Sequence, residues 1–113
     1  MQIAFRTKVL EKAAGEFKEA TRNYGEPMAR KLGQRIKEIV AAETLADLHL
    51  VPAARCHELA QNRKGQFAVD LVQPYRLIFE PLEDPVPRKA DGGIDLEKVS
   101  AVRIIEVEDY HGK

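Results

Sequence analysis

The sequence predicts an α+β fold in which an N-terminal strand and two helices pack on an antiparallel β-sheet. Apolar residues recur at spacings of three and four from Met28 to Val40, which is the period of an amphipathic helix. Apolar and other residues alternate over 66–71 and again over 75–80, which is the period of a strand with one buried face. A third β-rich run covers 99–107. Helices grouped before a run of strands are typical of this class.

The first half of the chain is expected to hold the first strand and both helices. Residues 1–6 alternate as a short strand does. Thr7 is a good N-cap for a first helix, in which Gly15 is a weak point. A turn at 23–27 separates it from the helix that begins near Met28. The charged positions of that second helix are expected to form a largely basic outer face. These positions are Arg30, Lys31, Arg35, Lys37 and Glu38.

The second half is expected to form the rest of the sheet. A short turn at 72–74 joins the first two strands, and the third strand ends near Val107. Residues 81–98 are rich in proline, glycine and acidic side chains. They are predicted to form a loop that is long for a compact domain. The whole chain, 1–113, is predicted to be one domain.

Charge and composition exclude several classes of protein. The chain has 18 Lys or Arg and 18 Asp or Glu, so its formal net charge is zero. Residues 1–64 carry a balance of +4 and residues 65–113 a balance of −4. This excludes a strongly basic DNA-coating protein but leaves a basic face on the first half possible. There is no signal-peptide core and no apolar run of membrane-spanning length, so we expect a cytoplasmic protein without a membrane segment.

Arg76 is the most unusual residue of the predicted sheet. Tyr75, Leu77 and Phe79 are expected to face the helices, so Arg76 must point to the opposite face. An arginine on a half-buried face usually has an anionic partner. That partner is either a carboxylate, with Asp70 and Glu106 as the candidates, or a bound phosphate.

Cys56 and His57 invite a comparison with cysteine–histidine catalytic pairs. Neighbours in a strand point to opposite faces, however, which favours an incidental cysteine. The single cysteine also excludes an internal disulfide framework and any all-cysteine metal site. His49 lies among leucines and is expected to be a packing or surface residue.

Four short motifs together resemble the HigB branch of the RelE/ParE toxin superfamily, described as plasmid-maintenance killer proteins. The resemblance covers most of the chain and is densest over 53–79 and 104–111. The motifs occur in the family order and are His57-Glu58-Leu59, Arg63-Lys64-Gly65, Tyr75-Arg76 and Asp109-Tyr110-His111.

The resemblance implies a RelE-like fold and an endoribonuclease that cuts mRNA in the ribosomal A site. The reaction needs no metal or cofactor and proceeds by attack of the 2′-hydroxyl on the adjacent phosphate. Carried over, His57 and His111 are the general base and acid. Arg76 stabilises the charge of the scissile phosphate, and Asp109 orients neighbouring side chains.

The resemblance also implies substrate-binding residues and partners. Arg63 binds the scissile phosphate, Lys64 partly replaces the phosphate-binding lysine that the family usually has after the His-x-Leu motif, and Tyr110 stacks on or holds the substrate. The implied partners are a cognate helix-turn-helix antitoxin of the HigA kind and mRNA in the A site. Operator DNA would be contacted only through the antitoxin.

The chain departs from the family pattern at three places. Ala60 stands where HigB-type sites usually have a lysine, and Pro74 where they often have asparagine or a similar polar residue. The loop 81–98 is an addition to the compact family pattern. Two alternatives therefore stay open. One is a ParE-like toxin that binds a protein target, against which His57 and the terminal motif argue. The other is a degenerate relative that only binds its antitoxin or operator DNA.

Overall fold

The computed structural model describes residues 1–110, which divide into a helical first half and a second half that forms most of the sheet. The helices are α1 (Lys8–Gly15), α2 (Phe17–Tyr24), α3 (Glu26–Ala41) and α4 (Leu45–Leu48). The strands are β1 (Gln2–Phe5), β2 (His57–Glu58), β3 (Phe67–Asp70), β4 (Tyr75–Pro81) and β5 (Ala101–Asp109). Short 3₁₀ turns cover Pro52–Ala54, Gln61–Arg63 and Leu96–Lys98. None of the helices within residues 1–110 has the length and apolar character needed to cross a membrane.

The five strands form one sheet in the order β1-β5-β4-β3-β2. The four strands from β2 to β5 are antiparallel to their neighbours, whereas β1 runs parallel to β5, with Gln2 opposite Ala101 and Phe5 opposite Ile104. The predicted antiparallel pairing is therefore confirmed for β3, β4 and β5, whereas the sequence did not predict how β1 pairs. A parallel pair needs a long crossover, and all the helices and the other three strands lie between β1 and β5.

The first predicted helix is two helices in the structure. α1 ends at Gly15, and Glu16 has extended backbone angles before α2 begins. Glycine is a poor helix former, so the predicted weak point is where the helix stops. Thr7 caps α1 as expected, because its Oγ1 accepts a hydrogen bond from the Leu10 amide at 3.2 Å. The predicted turn before α3 contains Gly25 at φ +86°, a backbone conformation that favours glycine.

The guanidinium of Arg35 is buried, which contradicts its prediction as part of a basic outer face. Its side chain is 3% exposed. It donates to the carbonyl of Asp70 at 2.7 Å, to the carbonyl of Ala53 at 2.8 Å and to Glu38 at 2.9 Å. Arg35 thus ties α3 to the end of β3 and to the 3₁₀ turn before β2. Val40, predicted on the apolar face, is instead 52% exposed.

The predicted alternation in β4 is confirmed. Leu77 and Phe79 are fully buried in the main core between the sheet and the helices, and Tyr75 packs against its edge. Ile78 lies on the other face in a small separate apolar cluster with Leu59, Ala68 and Ile105. The second face of the sheet therefore has an apolar floor, and Arg76 lies on the same face.

The loop after β4 covers 82–100 rather than the predicted 81–98, because β4 includes Pro81 and the last strand runs from Ala101 to Asp109 instead of 99–107. It contains an isolated bridge between Arg88 and Ile94 and the short turn Leu96–Lys98. Its beginning is held by Glu83, whose carboxylate accepts a hydrogen bond from the Ser100 amide at 2.6 Å.

Candidate functional site

A cleft of about 670 Å³ opens on the face of the sheet that points away from the helices. Its walls are β2, the turn that follows it, and the adjoining ends of β4 and β5. Four of the predicted site residues meet there, although they lie far apart in the sequence. The lining residues are His57, Glu58, Leu59, Ala60, Gln61, Asn62, Arg63, Arg76, Glu108 and Tyr110.

Arg76 is paired with Glu108 inside this cleft. The two residues are directly opposite each other on β4 and β5, and Arg76 Nε donates to Glu108 Oε1 at 2.6 Å. Both side chains are 14% exposed. The predicted carboxylate partners, Asp70 and Glu106, are therefore wrong. A register shift places Glu106 opposite Ile78, and the Asp70 carboxylate lies near Arg55 instead.

Arg63 reaches the same carboxylates from the turn after β2. Its Nη2 lies 2.7 Å from Glu106 and 3.0 Å from Glu108, and its Nη1 donates to Gln66 at 2.7 Å. The hydrogen bond to Glu106 is the main factor that raises the pKa of the Arg63 guanidinium. Arg63, Arg76, Glu106 and Glu108 form what we call the arginine–glutamate network.

Tyr110 covers the guanidinium of Arg76. The ring centroid lies 3.9 Å from Arg76 Cζ, which is a cation–π contact. The backbone amide of Tyr110 donates to the Pro74 carbonyl at 3.0 Å, which continues the pairing of β4 and β5 by one residue. The backbone and the ring of Tyr110 are thus both anchored, so its place beside Arg76 is defined.

His57 lies at the edge of the cleft on the exposed strand β2, opposite Ala68. Its Nδ1 is 2.9 Å from the carbonyl oxygen of Arg55. A carbonyl oxygen only accepts hydrogen bonds, so this contact assigns the ring hydrogen to Nδ1. In the neutral ring Nε2 then carries the lone pair, which is the arrangement that a general base requires.

Two further predicted site residues, Asp109 and Lys64, do not line the cleft. Asp109 pairs with Tyr75 across the ladder, so its side chain alternates to the opposite face from Glu108. Lys64 is exposed and lines a neighbouring depression with Arg88 and Glu58. His111 lies outside the described residues.

Cys56 is buried, and its burial raises the pKa of the thiol to about 12. The thiol is therefore protonated at neutral pH and is a poor nucleophile. We expect Cys56 in the folded protein to react with a disulfide reagent at least about 100-fold more slowly than in the urea-unfolded chain. Stopped-flow thiol titration measures both rates. Rapid reaction of the folded protein would restore the cysteine–histidine interpretation.

A second depression of about 440 Å³ lies on the helical side and has a different character. Its surface is mostly apolar, formed by small residues of α1 and α3 together with Phe17, and Arg30 and Lys37 lie among the lining residues. It contains no acid–base pair. Within residues 1–110 there is also no group of three His, Cys, Asp or Glu side chains that could hold a metal ion.

Glu108 is the residue of the cleft that sequence reasoning missed, and Glu106 was assigned to the wrong arginine. A signal was present, because Glu106 and Glu108 are two residues apart on the last strand and therefore share a face. The register between β4 and β5 decides which residue of that face lies opposite Arg76. This register shifts between Ile78 and Phe79, so the spacing alone does not identify Glu108 as the partner.

The comparison with solved structures finds a likeness over nearly the whole chain. A YoeB/ParE toxin from Agrobacterium tumefaciens aligns with a TM-score of 0.55 and covers 98% of this chain and 100% of its own. The two sequences are 10% identical, so the likeness establishes a shared toxin-like α+β fold. No protein-family model matches the chain, and the comparison with curated proteins finds no match either.

Proposed function

We propose that this protein is the toxin of a type II toxin–antitoxin pair and acts as a ribosome-dependent mRNA endoribonuclease. The observation that carries the proposal is the convergence of His57, Arg63, Arg76 and Tyr110 in one cleft. These are four residues of the motifs that resemble the HigB branch. The toxin fold of the solved neighbour gives independent support for the part of the proposal that makes this protein a toxin.

The proposed reaction uses side-chain acid–base chemistry. His57 Nε2 takes the proton of the 2′-hydroxyl, whose oxygen attacks the adjacent phosphorus. The new bond joins this oxygen to phosphorus, and the bond to the 5′-oxygen breaks. His111 is proposed to donate a proton to that leaving oxygen. Arg63 and Arg76 stabilise the charge that develops on the phosphoryl oxygens.

Other parts of the proposal rest on the family resemblance. Tyr110 would hold a base of the substrate, Lys64 would attract the backbone from the cleft's rim, and Asp109 would orient its neighbours. The partners would be a small helix-turn-helix antitoxin of the HigA kind and mRNA presented in the ribosomal A site. Operator DNA would be bound through the antitoxin, and the toxin would act in the cytoplasm.

A ParE-like toxin that binds a protein target is the second candidate. One observation favours it, namely that both arginines of the cleft already hold carboxylates at 2.6 to 3.0 Å. A binding toxin would arrest growth without producing new RNA ends.

Replacement of His57 separates the two candidates. We expect induced expression of the wild type to arrest growth and create new mRNA 5′ ends. In His57→Gln the cleavage is expected to fall by about 10²–10⁴-fold, because a general base contributes about that much. Mapping of 5′ ends after induction measures the change.

His49→Gln is the matched control. His49 packs edge-on against Phe67, with 5.9 Å between the ring centroids, and contributes nothing to the cleft. The His49 variant should keep its cleavage. Arrest by the wild type without new 5′ ends, retained in His57→Gln, would establish the binding toxin and refute the nuclease.

A further inference from the structure

The arginine–glutamate network has no net formal charge. Two guanidinium groups and two carboxylates meet on one face of the sheet, with contacts of 2.6, 2.7 and 3.0 Å. Glu108 is shared, since its Oε1 accepts from Arg76 and its Oε2 lies beside Arg63. The cleft therefore contains the residue type that grips phosphate best, but with its charge already balanced.

Balanced charge has a direct consequence for nucleic-acid binding. Proteins bind free single-stranded RNA mainly by neutralising phosphates with Lys and Arg, which releases counterions. An arginine that already holds a carboxylate gains little by exchanging it for a phosphate. The Arg76–Glu108 pair is mostly buried, so solvent screens it less than a surface pair.

The pairing does not close the cleft to a phosphate that is held in place. Glu108 bonds Arg76 through Nε, so the two Nη groups of Arg76 can still donate to a phosphate. Both Nη groups of Arg63 already have partners, so a phosphate would have to displace one of them. A substrate fixed beside the cleft has a high effective concentration. It therefore needs no long-range electrostatic attraction.

We propose that Glu106 and Glu108 are specificity-determining residues that restrict the cleft to presented RNA by suppressing the binding of free RNA. This inference rests on the proposed cleavage of RNA and gives the reason why cleavage would require RNA that the ribosome presents. Their role is to neutralise Arg63 and Arg76, so removing the two carboxylate charges should open the cleft to RNA in solution.

The test compares the binding of free RNA by wild type and by Glu106→Gln/Glu108→Gln. The probe is a fluorescent, unstructured 20-nucleotide RNA with 2′-O-methyl sugars, which cannot be cut by 2′-hydroxyl attack. We expect the double variant to bind it at least about tenfold more tightly at 50 mM salt. The slope of log K against log salt should steepen by about 0.7 for each phosphate gained.

Glu80→Gln/Glu97→Gln is the matched control. It removes the same charge, and Glu80 is likewise paired with an arginine, Arg103, at 3.1 Å, but neither residue lines the cleft. Adding Arg76→Ala to the cleft variant should reduce its gain, and adding Arg63→Ala as well should abolish it, because Glu106 pairs with Arg63. The inference is overturned by unchanged affinity, by an equal gain in the control, or by a gain that survives the loss of both arginines.

Two further arms keep the result interpretable. If the double variant does not fold, Glu108→Gln alone replaces it, with Glu80→Gln as the control. This single variant preserves more of the network, so we expect a smaller gain in RNA affinity. Cleavage of an unmodified RNA by the wild type and by the double variant is assayed with and without ribosomes. If the double variant binds RNA more tightly but neither protein cleaves RNA under either condition, the result supports charge suppression and refutes the proposed nuclease.

Discussion

Arg76→Ala is expected to reduce RNA cleavage by about 10²–10³-fold while the protein stays folded. Removal of one oxyanion donor costs about that factor in acyl-transfer sites, where it likewise stabilises developing charge. The loss of stability should be smaller than when a typical buried ion pair is broken, because Glu108 still has Arg63 as a partner at 3.0 Å after Arg76 is removed. We expect a loss of about 1 kcal/mol, which lowers Tm by about 4–8 °C.

Arg103→Ala is the control for this variant. Arg103 lies on β5, also forms an ion pair across the ladder with Glu80, and does not line the cleft. It should keep full cleavage with a comparable or smaller loss of stability. Cleavage rates in a ribosome-containing assay and thermal unfolding give both quantities. An Arg76→Ala protein that is clearly destabilised but still cleaves would reduce Arg76 to a structural partner of Glu108.

Arg35→Ala is expected to lower the free energy of unfolding by about 3–5 kcal/mol, which is the effect of removing one partner from a buried ion pair. The variant leaves Glu38 without its cation and two carbonyl groups, those of Asp70 and Ala53, without their donor. Urea unfolding measures the change. Arg30→Ala on the same helix should cost about 0.3–0.5 kcal/mol, because Arg30 and its partner Glu26 are both exposed.

The same substitution should also impair the cleft. Arg35 bonds the segment that leads into β2, which carries His57. Below the unfolding transition we therefore expect reduced cleavage by the folded Arg35→Ala protein. Arg35→Met, which fills the space without the charge, should recover part of the stability but not the bonds to β3. A loss below about 1 kcal/mol in Arg35→Ala would show that solvent or a rearranged neighbour replaces those bonds.

Strands β1, β3, β4 and β5 were predictable because alternation is a local signal, whereas β2, with only two residues, is too short to show one. Leu77 and Phe79 lie in the core and Arg76 and Ile78 on the other face, as their spacing indicates. The helix ends were also partly predictable, since Thr7 and Gly15 act as the cap and the breaking point. In each case the residues that carry the signal are neighbours in the sequence.

The features that were not predictable depend on contacts between distant segments. Helical spacing assigns Arg35 to the polar side, and only the positions of Asp70 and Ala53 make its burial favourable. The partner of Arg76 depends on a one-residue irregularity between β4 and β5. The parallel pairing of β1 with β5 depends on where the last strand enters the sheet. A pattern of neighbouring residues contains no information about that position.

The position of β5 between β1 and β4 has a consequence for how the protein folds while it is being made. This strand pairs with both β1 and β4, and it carries Glu106 and Glu108, with Tyr110 just beyond it. It leaves the ribosome after β1, β2, β3 and β4. Until β5 emerges, the growing chain therefore contains β1 and β4 without the strand that pairs with both. Pairings so distant in sequence fold slowly, and unpaired strand edges are prone to aggregation. The cleft is therefore completed only after β5 has been made, and a chain interrupted before β5 would carry His57 and Arg76 without an assembled site.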